Sequence, residues 1–300
     1  MPLYHAAPFV LPLAPGHRFP HGKSARVRER LLESGEFDAH ELQVAPAATD
    51  AELARAHSAQ YLARIEAGTL SAGEQKAIGF PWSQALVERS RRSAGATLAA
   101  ARQALASGWS ANLAGGTHHA FQDRGEGFCV YNDAAVAARA LQAEAGLTRL
   151  AIVDCDVHQG NGSASIFAHD ESVFTFSMHG ARNFPFVKEA SDLDIELADG
   201  TRDDEYLWHL ERGLDETLDR SRPQLVFYLA GADPYEGDRL GRLRLTQRGL
   251  ARRDEHVLAT LYARHIPVVL AMAGGYAHDI EESVAIHANT LRTARRIWES

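Results

Sequence analysis

Apolar residues recur at helical spacing over residues 23–33, 50–56 and 82–107, and none of these stretches alternates as a half-buried strand would. Beyond residue 107 the pattern changes to short apolar runs at 112–116, 150–154, 173–177, 225–231 and 267–274. Helical patterns at 133–145, 203–219, 246–264 and 277–297 lie among them. Short apolar runs interleaved with helices predict βαβ units, and runs without alternation predict strands covered on both faces. The expected fold is α/β, an open parallel sheet flanked by helices. No repeat, low-complexity linker or break in composition divides the 300 residues, so one domain over 1–300 is expected.

In open parallel sheets ligands bind beyond the carboxyl ends of the strands, so the residues that follow each run are the candidates for chemistry. Gly115-Gly116-Thr117-His118-His119 follows the first run and Asp154-Cys155-Asp156-Val157-His158-Gln159-Gly160-Asn161 the second. Gly231-Ala232-Asp233-Pro234 and Gly274-Gly275-Tyr276 follow the later ones. Residues i, i+2 and i+4 of an extended strand share a face, so Asp154, Asp156 and His158 are expected to point together. Asp156 and His158 could then ligate one metal, with Asp233 as a third ligand from a neighbouring strand end. Two carboxylates and an imidazole suit Zn²⁺ with one coordination position left open, the catalytic rather than the structural arrangement. Taken singly, each motif has a plain structural explanation as a helix cap, core filler or a turn before a packed aromatic. Their convergence on one sheet edge favours a site.

Composition narrows the partners. Lys and Arg number 31 against 39 Asp and Glu, a formal net charge of -8, which argues against binding a nucleic-acid backbone. The acidity is regional, with twelve acidic and two basic residues between Glu189 and Asp219, and reads as a solvated face rather than a surface for basic peptides. The two cysteines, Cys129 and Cys155, form no Cys-x-x-Cys pair, which fits a reducing compartment. Residues 6–14 are apolar but broken by Pro8 and Pro12, and no run approaches the roughly 18 apolar residues of a membrane span. A cytoplasmic protein without membrane or nucleic-acid partners is expected.

On these motifs, together with Gly127-Phe128-Cys129-Val130-Tyr131-Asn132-Asp133 and the extension of Gly231-Ala232-Asp233-Pro234 to Asp238, the sequence resembles the zinc-dependent histone deacetylase family of the arginase/deacetylase fold. The resemblance runs from about Pro15 to Ile297. Residues 16–23 and 199–206 look closest to the class IV branch and its bacterial relatives. The resemblance implies Zn²⁺ on Asp156, His158 and Asp233, with His118 and His119 handling the catalytic water and the leaving amine. Asp154 and Asn161 fall on the partners of that pair, and Tyr276 on the residue that polarises the substrate carbonyl. Gly127, Phe128, Phe184, Leu240 and Gly275 fall on the lining of an acyl-lysine tunnel. Structural potassium is implied at Asp154, Asp156, His158, Ser177 and Met178, and at Phe167, Asp170 and Val173.

Three departures modify the expectation. Asn161 stands where many class I members place a second aspartate, so His119 should gain less basicity than a carboxylate partner would give it. Thr117 replaces a bulky aromatic, which predicts more space beneath the metal and room for acyl groups longer than acetyl. The segment after Phe184 lacks the glycine-rich stretch of class I, so the rim is not carried over. The implied activity is hydrolysis of acyl-lysine amides in proteins or peptides. Acetylpolyamines or other small N-acyl amines are an alternative substrate class, and a catalytically silent acyl-lysine binder or a two-manganese ureohydrolase a more distant one.

Overall fold

The computed structural model describes residues 1–14, 16–20 and 22–299. Pro15, where the resemblance begins, and His21 of the 16–23 motif lie outside the described residues. The strands are β1 (Leu3–His5), β2 (Leu42–Val44), β3 (Trp109–Asn112), β4 (Leu150–Asp154), β5 (Val173–Gly180), β6 (Leu193–Leu197), β7 (Val226–Leu229) and β8 (Val268–Ala271). They form one sheet in the order β2-β1-β3-β8-β7-β4-β5-β6, and every neighbouring pair is parallel. All strand C-termini therefore face the same edge.

The helices are α1 (Lys23–Glu33), α2 (Asp50–Leu53), α3 (Ala59–Ala67), α4 (Ala72–Ile78), α5 (Gln84–Ser107), α6 (Asp133–Ala145), α7 (Asn161–Phe167), α8 (Asp203–Ser221), α9 (Gln247–Ala263) and α10 (Ile280–Trp298). Two cores sandwich the sheet. Val226 and Tyr228 of β7 point into a core shared with α1, α8, α9 and α10, while Phe227 and Leu229 point into one shared with α5 and α6. A strand flanked on both faces has no solvent side, which explains why its sequence shows no polar alternation. Among the described residues no helix is long and apolar enough to cross a membrane.

Several boundaries differ from the sequence reading. The strand read at 112–116 is β3, Trp109–Asn112. Its polar residues are buried with partners, Ser110 Oγ donating to Pro2 O at 2.8 Å and Asn112 Nδ2 to Ser93 O at 3.0 Å. Gly115 and Gly116, at φ 74° and 69°, turn the chain instead of extending it. The long helix starts at Gln84 because the Ser83 hydroxyl caps it by accepting from the Leu86 amide, leaving Trp82 outside. The 50–56 helix stops at Leu53, and the last helix starts at Ile280 behind the Asp279 cap. The run at 173–177 continues through Met178 and His179 to Gly180. β1, β2, β6, α3, α4 and α7 were not anticipated.

Candidate metal centre and acid–base pair

Four loops beyond the sheet edge build the site. β4 ends at Asp154, so Asp156 and His158 do not share a strand face as alternation predicted. They meet instead in the bend that follows. His158 Nδ1 lies 2.9 Å from Asp156 Oδ1 and 3.2 Å from Asp233 Oδ2, and each of the three residues offers a ligand atom within 4.8 Å of the others. One oxygen of each carboxylate is fixed by a backbone amide from a different loop. Asp156 Oδ2 accepts from Gly274 N at 2.7 Å, and Asp233 Oδ1 accepts from Val157 N at 2.9 Å. Gly274 has to be glycine, since a Cβ there would stand 1.9 Å from Asp233 Oδ2.

Asp233 Oδ2 is buried and accepts no hydrogen bond, the approach of His158 Nδ1 falling outside bonding geometry. A buried carboxylate oxygen without a donor is costly, and a cation removes that cost. The site's own protonation equilibria point the same way. Burial alone would lower the His158 pKa, but the Asp156 and Asp233 carboxylates push it up to about 10. Burial and the Asp156 charge push Asp233 up to about 7. Two carboxylates and one imidazole held this way fit Zn²⁺ by donor type and by demand for positive charge.

His118 and His119 lie beside this centre with ring centroids 4.1 Å apart and planes tilted by 44°. His118 Nδ1 donates to Asp154 Oδ2 at 2.6 Å, and His119 Nδ1 to Asn161 Oδ1 at 2.7 Å. The partners divide the pair. Burial opposes charge on His118, yet Asp154 and Asp156 outweigh it and raise the pKa to about 9. Burial, with His118 and His158 nearby, holds His119 well below the usual imidazole range, and the Asn161 amide offsets this only in part. One imidazole favours the cation and its neighbour the neutral form.

The loop carrying the pair hangs on Asp133, a fully buried carboxylate at the start of α6. It accepts from Gly116 N (2.9 Å), Thr117 N (2.8 Å) and Thr97 Oγ1 (2.6 Å), and the Thr117 hydroxyl lies 2.7 Å from it. Asp238 holds the opposite wall, accepting from the amides of Leu240 (2.8 Å), Gly241 (3.0 Å) and Tyr276 (2.5 Å). Behind the metal-ligand loops, buried Arg253 donates to the carbonyls of Gly231 (2.5 Å) and Cys155 (3.3 Å). Lys23 Nζ donates to the carbonyls of Ala273 and Gly274 at 2.9 and 3.0 Å. The sequence reading assigned no role to these four. Asp133, Asp238 and Lys23 sit inside motifs it quoted, whereas Arg253 lies in a helix with no local signal.

A cavity of about 450 Å³ connects the outside to His118, His119, Asp156 and His158. Gly127, Phe128, Phe184 and Leu240 line it as expected, but Gly274 lines it rather than Gly275, where a Cβ would face Ala232, His287 and Lys23. The Phe184 ring meets His119 edge-on at 4.9 Å, and Phe128 lies 6.1 Å from Tyr276. Thr117 and the buried Leu11, Leu86 and Leu113 also line it.

The residues expected to hold potassium fall in two groups. Asp154 and Ser177 are register partners across β4 and β5, and Ser177 Oγ is 3.0 Å from His179 Nδ1. In the second group Phe167 O accepts from Asp170 N and Asp170 O from Val173 N, while the Asp170 carboxylate binds Ser172 and Arg139.

Residues 17–291 match the family model described as the histone deacetylase domain. An uncharacterised protein of Picosynechococcus sp. is 42% identical over 297 residues, covering 99% of each chain. Histone deacetylase 2 of Arabidopsis thaliana is 30% identical over 289 residues, covering 93% of this chain and 74% of the plant protein. The crystal structure of acetylpolyamine aminohydrolase from Burkholderia pseudomallei superposes with a TM-score of 0.81, covering 99% of each chain at 21% identity, which shows a shared fold.

Proposed function

The chain belongs to the histone deacetylase family, and from that premise we propose that it is a zinc-dependent amidohydrolase that removes acyl groups from the ε-amine of lysine in proteins or peptides. The observation that carries this reading is the Asp156, His158 and Asp233 cluster at the cavity floor, with its buried, undonated carboxylate oxygen. Zinc bound there supplies Lewis acidity toward water and the acyl carbonyl. The remaining tasks fall to the chain's own groups. His119, neutral beside Asn161, accepts the proton released by the attacking water and returns one to the departing lysine amine. His118, charged against Asp154, supplies electrostatic support for the negative charge that develops. Tyr276 lines the same cavity, and its hydroxyl donates to the carbonyl oxygen as that oxygen gains charge. Phe128 and Phe184 flank the aliphatic lysine stem.

The cavity volume of about 450 Å³, with the buried Leu11, Leu86 and Leu113 in its lining beside Thr117, supports acyl groups longer than acetyl. Potassium at the two predicted groups is a structural part of the proposal. An acyl-chain series on lysine peptides, run with zinc-loaded protein and a Tyr276→Phe control, tests the reading. Turnover of acetyl and longer acyl peptides is expected, with the control depressed. Undiminished hydrolysis by the control, or no hydrolysis of any acyl-lysine by the loaded wild type, would overturn it.

A further inference from the structure

We infer that the mouth of the cavity selects acyl-lysines flanked by acidic residues, an inference that rests on the amidohydrolase reading and narrows its substrate class. Arg18, Arg182 and Arg242 are exposed and line the outer cavity. Arg239, also exposed, is tied to residues of the same wall. Its Nε donates to the Tyr276 carbonyl at 2.9 Å, and its Nη2 reaches the Arg18 carbonyl at 3.5 Å. Arg182 and Arg242 both lean on Asp199, at 3.5 and 3.3 Å. Arg18 and Arg239 have no acidic partner within 4 Å among the described residues. Three arginines thus line the entrance with Arg239 tied beside them, and one carboxylate, Asp199, lies within 4 Å of two of the four, in a chain whose formal net charge is -8.

The only carboxylate lining the cavity, among the described residues, is Asp156 on its floor. An incoming substrate therefore meets positive charge before anything else. Such a field attracts a segment rich in Asp or Glu and repels a basic tail or a polyamine, whose remaining amines are cationic. Phe186, 85% exposed and also at the mouth, gives such a segment an apolar surface to lie against. Each exposed arginine contributes modestly, so the combined effect is on the order of tenfold rather than all-or-none.

The test compares three peptides that carry the same acyl-lysine flanked by Glu, Gln or Lys, together with an N-acyl polyamine. Turnover gives kcat/KM and fluorescence anisotropy gives Kd for the labelled peptides, each at low and high salt with zinc-loaded protein. The Glu peptide is expected to exceed the Lys peptide by about tenfold in both, with the difference shrinking as salt rises. Arg182→Glu with Arg242→Glu should invert the order. Asp199→Asn, which removes the carboxylate the two arginines share, should steepen the original preference. Equal handling of the Glu and Lys peptides, or faster hydrolysis of the polyamine than of the Glu peptide, would overturn the inference. If no peptide is turned over, the reading of the reaction fails, while the order of binding still decides the charge preference.

Discussion

Beneath the cavity Asp156 and Asp233 are almost fully enclosed and flank one imidazole; at the mouth four arginines stand exposed, two of them against a single carboxylate. The two regions carry opposite charge under opposite solvation. Inside, an uncompensated charge costs several kcal/mol, so the floor tolerates little error in its counter-charge. Outside, water screens each arginine and the same Coulomb attraction amounts to less than about 1 kcal/mol per pair. On the proposed reading the floor would govern whether the reaction runs, and the mouth would bias which substrate reaches it.

The largest expected effect breaks the floor. Asp233→Ala removes a ligand and the Val157 contact, so the protein should lose both bound zinc, read by metal analysis, and hydrolysis by more than about a thousandfold. Retention of stoichiometric zinc would show that Asp233 is not a ligand. Tyr276→Phe leaves the floor intact and should keep its zinc while losing about 10²- to 10³-fold in kcat.

Removing the metal from the wild type sharpens the contrast through stability. Ligand linkage at a thousandfold excess over Kd is worth about 4 kcal/mol, so chelation should lower Tm by on the order of ten degrees. Asp233→Asn should make the chelated protein more stable than chelated wild type, because it relieves the repulsion between two buried carboxylates. A chelator-insensitive Tm would remove the cation demand on which the floor is argued.

The smallest effect concerns the neighbouring pair. Asn161→Asp gives His119 an anionic partner, which raises its pKa. Because the base must be neutral, the acidic limb of the pH–rate profile should move to higher pH by about one unit. An unmoved profile would assign Asn161 a structural role only.

Much of the architecture was legible because the central strands are buried on both faces. Leu150–Asp154 reads as a strand directly, and α6 spans residues 133–145 as its pattern predicted, capped by the Asn132 side chain. The three-residue strands β1 and β2 are too short to show a period, and β6, Leu-Asp-Ile-Glu-Leu at the sheet edge, is hidden within the acidic stretch. The site residues were found by their chemistry rather than by their geometry. Strand alternation was the wrong reason for bringing Asp156 and His158 together, because the strand has already ended and a bend joins them instead. The mouth was invisible to sequence reading. Its arginines, at 18, 182, 239 and 242, come from three separated parts of the chain and come together only in the folded structure.

Asp133 has a kinetic consequence. The amides of Gly116 and Thr117 lie on a loop beside a cavity, where rapid exchange with solvent deuterium would be usual. Both end on a carboxylate with no exposed surface that is also tied to Thr97 in α5. Releasing either proton strips a buried carboxylate of a donor, so these amides should exchange more slowly than those of an unanchored loop. The loop that carries His118 and His119 is, by this measure, a piece of the core that happens to face the cavity.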